Sequence, residues 1–302
     1  MRKVSAIIVS FIFVFGATLL PVRDAAARSH HVKKTSTTQV THGKYSLNKQ
    51  DDLRRLSVRS ASALVVDYEN GDFLYAKNVD SVMPIASITK LMTAMVVLDM
   101  QQPMDEFISI DEADVDVYRN TSSRLRVGTI LPRIELLRLA LMSSENRAAA
   151  ALARTYPGGT QEFVAAMNRK AKQLGMVSAQ FVDSTGLRSE NAATARDLVR
   201  MVRASYDYDL IREFTTTSRH EVELYDSGRT LGFKNSNSLV ANRDWEIGLS
   251  KTGFTNDAGR CLVMQAKIAT RPVIIVLLDS LGKMTRIGDA NRIKKWIQRR
   301  QA

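Results

Sequence analysis

"IASITKLMTAMVVLDM", residues 85–100, sets Ser87 and Lys90 at the head of an apolar run that neither glycine nor proline interrupts. The run predicts a helix over roughly 86–100. Residues three apart on a helix share a face, so the Ser87 hydroxyl and the Lys90 amine come within reach of each other. Two readings stay open from this stretch alone. Either Ser87 caps the helix and Lys90 extends its amine to water, or a neutral Lys90 serves as base to a Ser87 nucleophile.

The bare pattern Ser-x-x-Lys does not choose between them, because it occurs as "SLNK" at 46–49, "SITK" at 87–90 and "SLGK" at 280–283. The first lies in a polar stretch without hydrophobic period. The last contains Gly282 after a strand-like run and reads as a turn. Only the middle copy opens a helix.

Outward from that helix, "SALVVDYENGDFLYAKN" carries "ENGD" between two β-rich arms and predicts a hairpin over 62–77. C-terminal to the helix come the polar connector "IDEADVD" and a helical stretch, "LPRIELLRLALMSSENRAAAALARTY". There Ile134, Leu137 and Leu141 share one face, Ala149, Leu152 and Ala153 another, and "SSEN" divides the two halves. "TQEFVAAMNRKAKQLGM" is a further helix closed by Gly175, and "TARDLVRMVRASYDYDLIREFT" gives one or two more. From about 220 the pattern reverts to strands, "HEVELYD", "EIGLSKTG", "GRCLVMQAKI" and "RPVIIVLLDS", before an amphipathic basic helix, "TRIGDANRIKKWIQRR". Strands at both ends with helices between them predict an α/β fold of the α+β kind. One antiparallel sheet is built from both chain ends and flanked by helices, with a mostly helical subdomain inserted at about 104–218.

The chain is 302 residues long and 45% hydrophobic, enough for one large domain or two subdomains. Arg2 and Lys3 precede the apolar run "VSAIIVSFIFVFGATLLPV", and Ala25 and Ala27 supply an Ala-x-Ala site. Residues 1–27 therefore read as a secretory signal cleaved near Ala27, with an uncleaved membrane anchor as the rival. Residues 28–52 are polar, basic and without period, a flexible leader suited to weak association with anionic wall or membrane. The net charge is +12, and losing Arg2, Lys3, Arg23 and Asp24 with the signal leaves +10. A basic exported protein suits an anionic polymer. Nucleic acid is disfavoured by the export signal and by the lack of its recognition motifs, so no nucleic-acid partner is expected. Cys261 stands alone, so no internal disulfide forms, and within "RCLVMQAKI" it reads as a buried apolar residue. Three of the four histidines lie before residue 53, leaving His220 for the body. A histidine-based triad or a multi-histidine metal site is disfavoured, and no metal or cofactor is expected.

Partners for Ser87 and Lys90 were sought at element ends. "SSEN" offers Ser144 and Asn146 at a helix break, although Ser-x-Asn recurs at 46 and 189. "KTG" at 251–253 occurs once and ends a predicted strand. Lys251 and Thr252 can both donate to an anion, and Gly253 keeps no side chain in the way of a substrate backbone. Read alone, it could equally be a turn with an exposed lysine.

Together, in this order, Ser-x-x-Lys, Ser-x-Asn and Lys-Thr-Gly resemble the active-site motifs of the penicillin-recognising serine transferases. "DSTGLRSENAATARDLVR" at 183–200 and "SKTGFTNDAGRCLVM" at 250–264 extend the resemblance to low-molecular-mass penicillin-binding proteins, specifically the D-alanyl-D-alanine endopeptidases of the penicillin-binding protein 7 type. It covers roughly 55–300 and implies a β-lactamase/transpeptidase-like D,D-peptidase domain over 53–302. It implies that Ser87 attacks a D-alanyl carbonyl of a peptidoglycan stem peptide, that Lys90, kept neutral by nearby Lys251 and partial burial, takes its proton, and that Ser144 relays a proton to the leaving amine. Asn146 then holds Lys90 and the substrate amide, Lys251 and Thr252 bind the substrate carboxylate, and the N–H groups of Ser87 and Phe254 form the oxyanion hole. β-Lactams acylate the same serine. No Glu-x-x-Leu-Asn stretch lies in 158–190, where Glu162 reads as a helix-surface charge and Glu190 as a loop charge, so rapid penicillin hydrolysis is not expected. Nor does the chain extend to the C-terminal β-domain of the larger carboxypeptidases. The leading expectation is an endopeptidase of D-alanyl cross-links. The alternatives are a D-alanyl-D-alanine carboxypeptidase and a non-hydrolytic penicillin sensor or wall-binding module.

Overall fold

The long apolar runs at the two ends of the chain become neighbours in one sheet. The computed structural model describes residues 56–300; the signal (1–27) and leader (28–52) lie outside the described residues. β1 (Ser62–Asp67) and β2 (Phe73–Lys77) form the expected hairpin. A short strand β3 (Met83–Pro84) leads through a 3-10 turn, Ala86–Ile88, into α1 (Thr89–Asp99). β4 (Phe107–Ser109) and β5 (Ile130–Pro132) pair ahead of α2 (Arg133–Met142), α3 (Asn146–Arg154) and α4 (Gly159–Gln173). β6 (Ala192–Ala193) pairs with β3 and is followed by α5 (Ala195–Ser205) and α6 (Asp209–Thr216). After a hairpin of β7 (Arg219–Glu223) and β8 (Thr230–Lys234) come β9 (Glu246–Thr255), β10 (Gly259–Ile268), β11 (Arg271–Ser280) and α7 (Thr285–Arg299).

The five-stranded sheet runs β2-β1-β11-β10-β9, antiparallel throughout. Leu64 of β1 lies opposite Val276 of β11, which is where the two ends of the body meet. The sheet has the expected α+β architecture, and β9 forms one of its edges.

Helices cover both faces. Leu64, Val66, Ile274, Val276 and Leu278 join the core of α1 to α6, while Ala63, Val65, Val273, Ile275 and Leu277 pack with Ala290, Ile293 and Ile297 of α7. Strands covered on both faces carry continuous apolar runs, as "SALVV" and "VIIVLL" do. Each such side chain, fully buried, contributes about 1.5–3 kcal/mol relative to an exposed one.

The structure departs from the sequence expectation at four places. "KTG" does not end its strand: β9 continues to Thr255, which pairs with Gly259 across the β9–β10 turn. β8, with Gly232 inside it, and the short pairs β3–β6 and β4–β5 were not expected at all.

The start of the described chain is tied to α7 through the buried Asp289 carboxylate. It accepts from the N–H of Arg59 at 2.9 Å, the N–H of Ser60 at 2.7 Å and the Ser60 hydroxyl at 2.6 Å. Burial works to raise the Asp289 pKa, but these bonds and the Arg292 guanidinium outweigh it and hold the group below the usual carboxylate range. Asp289→Ala should cost about 3 kcal/mol by stranding buried donors. Calorimetry at pH 7 should show a Tm fall of roughly 6–12 °C. A depressed carboxylate stabilises above its unfolded pKa of about 4 and loses that contribution as pH falls through the folded value, so the two melting curves should converge in acid.

Candidate active site

Ser87 lies in the 3-10 turn between β3 and α1. Ala86, just before it, has φ +46°, a left-handed conformation that costs a non-glycine residue about 1–2 kcal/mol. Surrounding bonds hold the turn in place. The Asn191 carbonyl accepts from Ile85 N–H at 3.0 Å, Asn191 Nδ2 donates to Thr89 Oγ1 at 3.1 Å, and Thr93 Oγ1 donates to the Ser184 carbonyl at 2.6 Å. Asp183 shapes the adjoining turn by accepting from the N–H groups of Thr185 and Gly186, each at 2.6 Å. Gly186, at φ +83°, presses on Ala86 so closely that a Cβ there would sit 2.0 Å from the Ala86 carbonyl oxygen. Only glycine fits.

Lys90 is wholly buried and does not reach water. The Ser87 side chain makes no cap bond to α1. Both facts dispose of the capping-and-snorkelling alternative. The Lys90 Nζ instead lies 2.9 Å from Ser87 Oγ, 2.8 Å from Asn146 Oδ1 and 2.7 Å from the Thr185 carbonyl oxygen. Burial lowers its pKa to about 7, against the opposing pull of the Asp183 and Glu145 carboxylates.

The donor inventory then fixes which way the proton on Ser87 points. A neutral amine has two N–H donors and one lone pair. Asn146 Oδ1 and the Thr185 carbonyl can only accept, so they take both N–H groups. The lone pair is left for the Ser87 hydroxyl.

This depends on Asn146 presenting its oxygen rather than its nitrogen, and two residues outside the motifs decide that. Asp116 accepts from the N–H groups of Tyr118, Arg119 and Thr121, each at 3.0 Å, and from Thr121 Oγ1 at 2.8 Å. Burial works to raise its pKa, yet these bonds keep it below the usual carboxylate range. An ionised Asp116 obliges the Thr121 hydroxyl to donate to it. The Thr121 oxygen is then free to accept from Asn146 Nδ2, at 3.0 Å, which turns Oδ1 toward Lys90.

The other predicted residues gather around β9. Lys251 is buried and its Nζ donates to Ser144 Oγ at 2.9 Å. Ser144 itself has φ +66° at the break between α2 and α3. Burial, then the charges of Lys90 and Arg286, push the Lys251 pKa well below its ordinary value. For Lys90, of the two causes expected from the sequence, burial is the leading one and complete rather than partial, and the Lys251 charge is not among its causes. Thr252 Oγ1 donates to Ser236 Oγ at 2.8 Å. Gly253 lies against the nucleophile turn: a Cβ there would be 2.8 Å from the Ile85 carbonyl oxygen and 3.1 Å from Ser87 N. Its missing side chain lets β9 approach Ser87. Phe254 follows with its ring half exposed beneath the Arg260 guanidinium.

The lookalike motifs do other work. In "SEN" at 189, Asn191 is buried and braces the loop, accepting from Val182 N–H at 2.7 Å. Glu162 pairs with Arg169, His220 with Glu135, and burial pushes the Cys261 thiol up to about 11. Sequence reasoning missed Thr121, Asp116, Thr185 and Ser236. Thr185 acts through its carbonyl, which every residue has. The Asp-Ser-Thr-Gly turn was the available signal for that segment.

The chain as a whole is similar to known proteins. A serine peptidase family model, peptidase S11, described as D-alanyl-D-alanine carboxypeptidase, matches residues 46–282. A D-alanyl-D-alanine endopeptidase of Pseudomonas aeruginosa is 51% identical over 239 residues, 79% of this chain and 77% of that one. One from Escherichia coli is 47% identical over 80% and 78% of the two chains. The crystal structure of the Streptomyces K15 DD-transpeptidase superposes with a TM-score of 0.74 at 28% identity, covering 80% of this chain and 97% of that one.

Thr121→Val should release the Asn146 amide and lower the rate at which a fluorescent penicillin labels Ser87 by about tenfold, the equivalent of ~1.4 kcal/mol in the barrier. The protein should remain folded. An unchanged labelling rate would show that the Asp116–Thr121 chain does not set the amide.

Proposed function

The chain belongs to the D-alanyl-D-alanine carboxypeptidase family of serine peptidases, and from that premise we propose that it hydrolyses the D-alanyl cross-links of peptidoglycan through an acyl-enzyme on Ser87. The observation that carries the chemistry is the buried Lys90 amine at 2.9 Å from the Ser87 hydroxyl, with its pKa near 7. The similarity to two endopeptidases at about half identity favours cross-links over terminal D-alanine.

In this reading the Ser87 O–H bond gives its proton to the Lys90 lone pair as Oγ attacks the D-alanyl carbonyl. The negative oxygen that develops is held by the N–H groups of Ser87 and Phe254. As the C–N bond breaks, the proton passes from Lys90 through Ser144 to the leaving amine of the neighbouring stem. Lys251 and Thr252 hold that stem's carboxylate. The carboxylate supplies the counter-charge that burial denies Lys251, restoring its ammonium form on binding. Water then attacks the ester, with Lys90 again the base. β-Lactams enter the same path as far as the ester.

The site requires a peptidoglycan substrate outside the cytoplasmic membrane, which fits the export signal over residues 1–27 and cleavage near Ala27. Among the described residues no helix is long and apolar enough to cross a membrane. The basic leader, 28–52, would hold the protein near anionic wall or membrane.

Purified muropeptides separate the readings. An endopeptidase turns cross-linked dimers into monomers, a carboxypeptidase releases terminal D-alanine from monomers, and a sensor leaves both unchanged; dimer cleavage is the expected result. Penicillin labelling tests the base. Lys90→Arg should abolish it although it keeps a positive charge, because a guanidinium does not give up its proton. Near-wild-type labelling of that variant would remove Lys90 from the role. Neutral Lys90 is the active form, so the wild-type rate should rise with pH through a midpoint near 7 and be about tenfold lower at pH 6 than at pH 8.

A further inference from the structure

Arg286, at the start of α7, is a half-buried cation with no carboxylate partner among the described residues. Burial, and repulsion from Arg260, lower its pKa from the ordinary arginine value. A charge placed this way weakens the fold unless its bonds serve something else. Its Nη1 donates to the Gly253 carbonyl at 2.8 Å and to the Cys261 carbonyl at 3.1 Å, while its buried Nε finds no acceptor. Gly253 and Cys261 are register partners on β9 and β10.

The Gly253 carbonyl belongs to the same peptide unit as the Phe254 N–H. No peptide among the described residues is cis, and in a planar trans peptide the C=O and N–H point in opposite directions. Fixing the carbonyl on the β10 side therefore turns the Phe254 N–H toward the other edge of β9, which no strand among the described residues covers. The face of β9 beside that edge lies against the Ser87 turn, since a Cβ on Gly253 would lie 3.1 Å from Ser87 N. A cation bonded to the carbonyl also polarises the peptide, making its N–H a stronger donor.

We propose that Arg286 is a positioning residue of the oxyanion hole, aiming and polarising the Phe254 N–H through the Gly253 carbonyl. It touches neither substrate nor the reacting atoms. The inference rests on the acyl-enzyme reading above, specifically on the pair of N–H donors at Ser87 and Phe254.

The test uses the full chain with Arg286→Leu, Arg286→Gln and Arg286→Lys, each checked for a retained melting transition. Two quantities are measured. The first is acylation by a penicillin, resolved into the dissociation constant of the initial complex and the maximal rate constant. The second is affinity for an alkyl boronic acid without a carboxylate, whose tetrahedral Ser87 adduct places an oxygen in the hole. Deleting an oxyanion donor outright costs about 10²–10³ in rate, so misaiming one should cost roughly 10–100-fold. Arg286→Leu should lose that much in maximal rate and in boronate affinity together, with the initial complex changed less than twofold and the pH midpoint unmoved. Arg286→Lys, with one compact donor, should recover part of both, and it carries the test if the leucine variant does not fold. Unchanged boronate affinity with a weakened initial penicillin complex would overturn the proposal and make Arg286 a carboxylate anchor. A shifted pH midpoint would overturn it by showing that the charge acts on Lys90, the base, rather than on the donor. Absence of acylation in the unsubstituted protein would instead overturn the peptidase reading, and this proposal with it.

Discussion

A wholly buried lysine amine with no carboxylate in contact is the constraint on which this molecule turns. Lys90 Nζ is surrounded by one hydroxyl, one amide oxygen and one main-chain carbonyl. An ammonium would find three acceptors there, but its desolvation has no adjacent counter-charge to offset it, so the amine gives up its proton near pH 7. Once it is neutral, two of its three neighbours are obligatory acceptors and the third must donate. The Ser87 proton is thereby directed onto the Lys90 lone pair, as the proposed nucleophilic role requires. Asp183 and Glu145 are near enough to pull the other way without reaching contact.

The fold exists to keep that amine dry and still. α1 is buried along most of its length, which carries Lys90 inward. The Asp183–Gly186 turn closes over it from one side, and the α2–α3 break brings Asn146 and Ser144 from another. β9 closes the third side, and its approach is limited by the backbone of Ile85–Ser87, which leaves space for glycine alone at 253. β9 is a sheet edge, so one row of its main-chain groups is free to face a substrate. Left-handed backbone at Ala86 and Ser144 marks where the chain is bent to meet these demands.

Much of this was readable from residue types and spacing. "SITK" before an uninterrupted apolar run, the single "KTG" in a strand, and strands at both ends of the body gave the sheet and placed the three motifs. The distant partners were less legible. Lys90 is buried by a turn that begins at Asp183, far along the chain, and the atom that touches it is a carbonyl, which leaves no trace in side-chain chemistry. Thr121 and Asp116 lie in a connector that looks merely polar, because a supporting hydrogen bond needs only a common residue in the right place. Arg286 was read as one more charge on a basic helix; its bonds to two carbonyls depend on how α7 crosses the sheet. β8 was missed because Gly232 weakens the strand pattern, and β3, β4, β5 and β6 are too short to show a period. Gly253 reads in the sequence as the end of a strand, whereas β9 runs on to Thr255 and the tight contact with Ser87 is what requires a glycine there.

The most direct test of the account is the protonation of Lys90 itself. Proteins carrying 13C at lysine Cε, wild type and Lys90→Arg, can be titrated by NMR, the resonance missing from the variant giving the assignment. The account predicts a Lys90 Cε resonance that titrates with a midpoint near 7, well apart from the surface lysines at about 10.4. A Lys90 resonance that stays in its ammonium position until pH 10 would contradict it, because the amine could not then take the proton of Ser87.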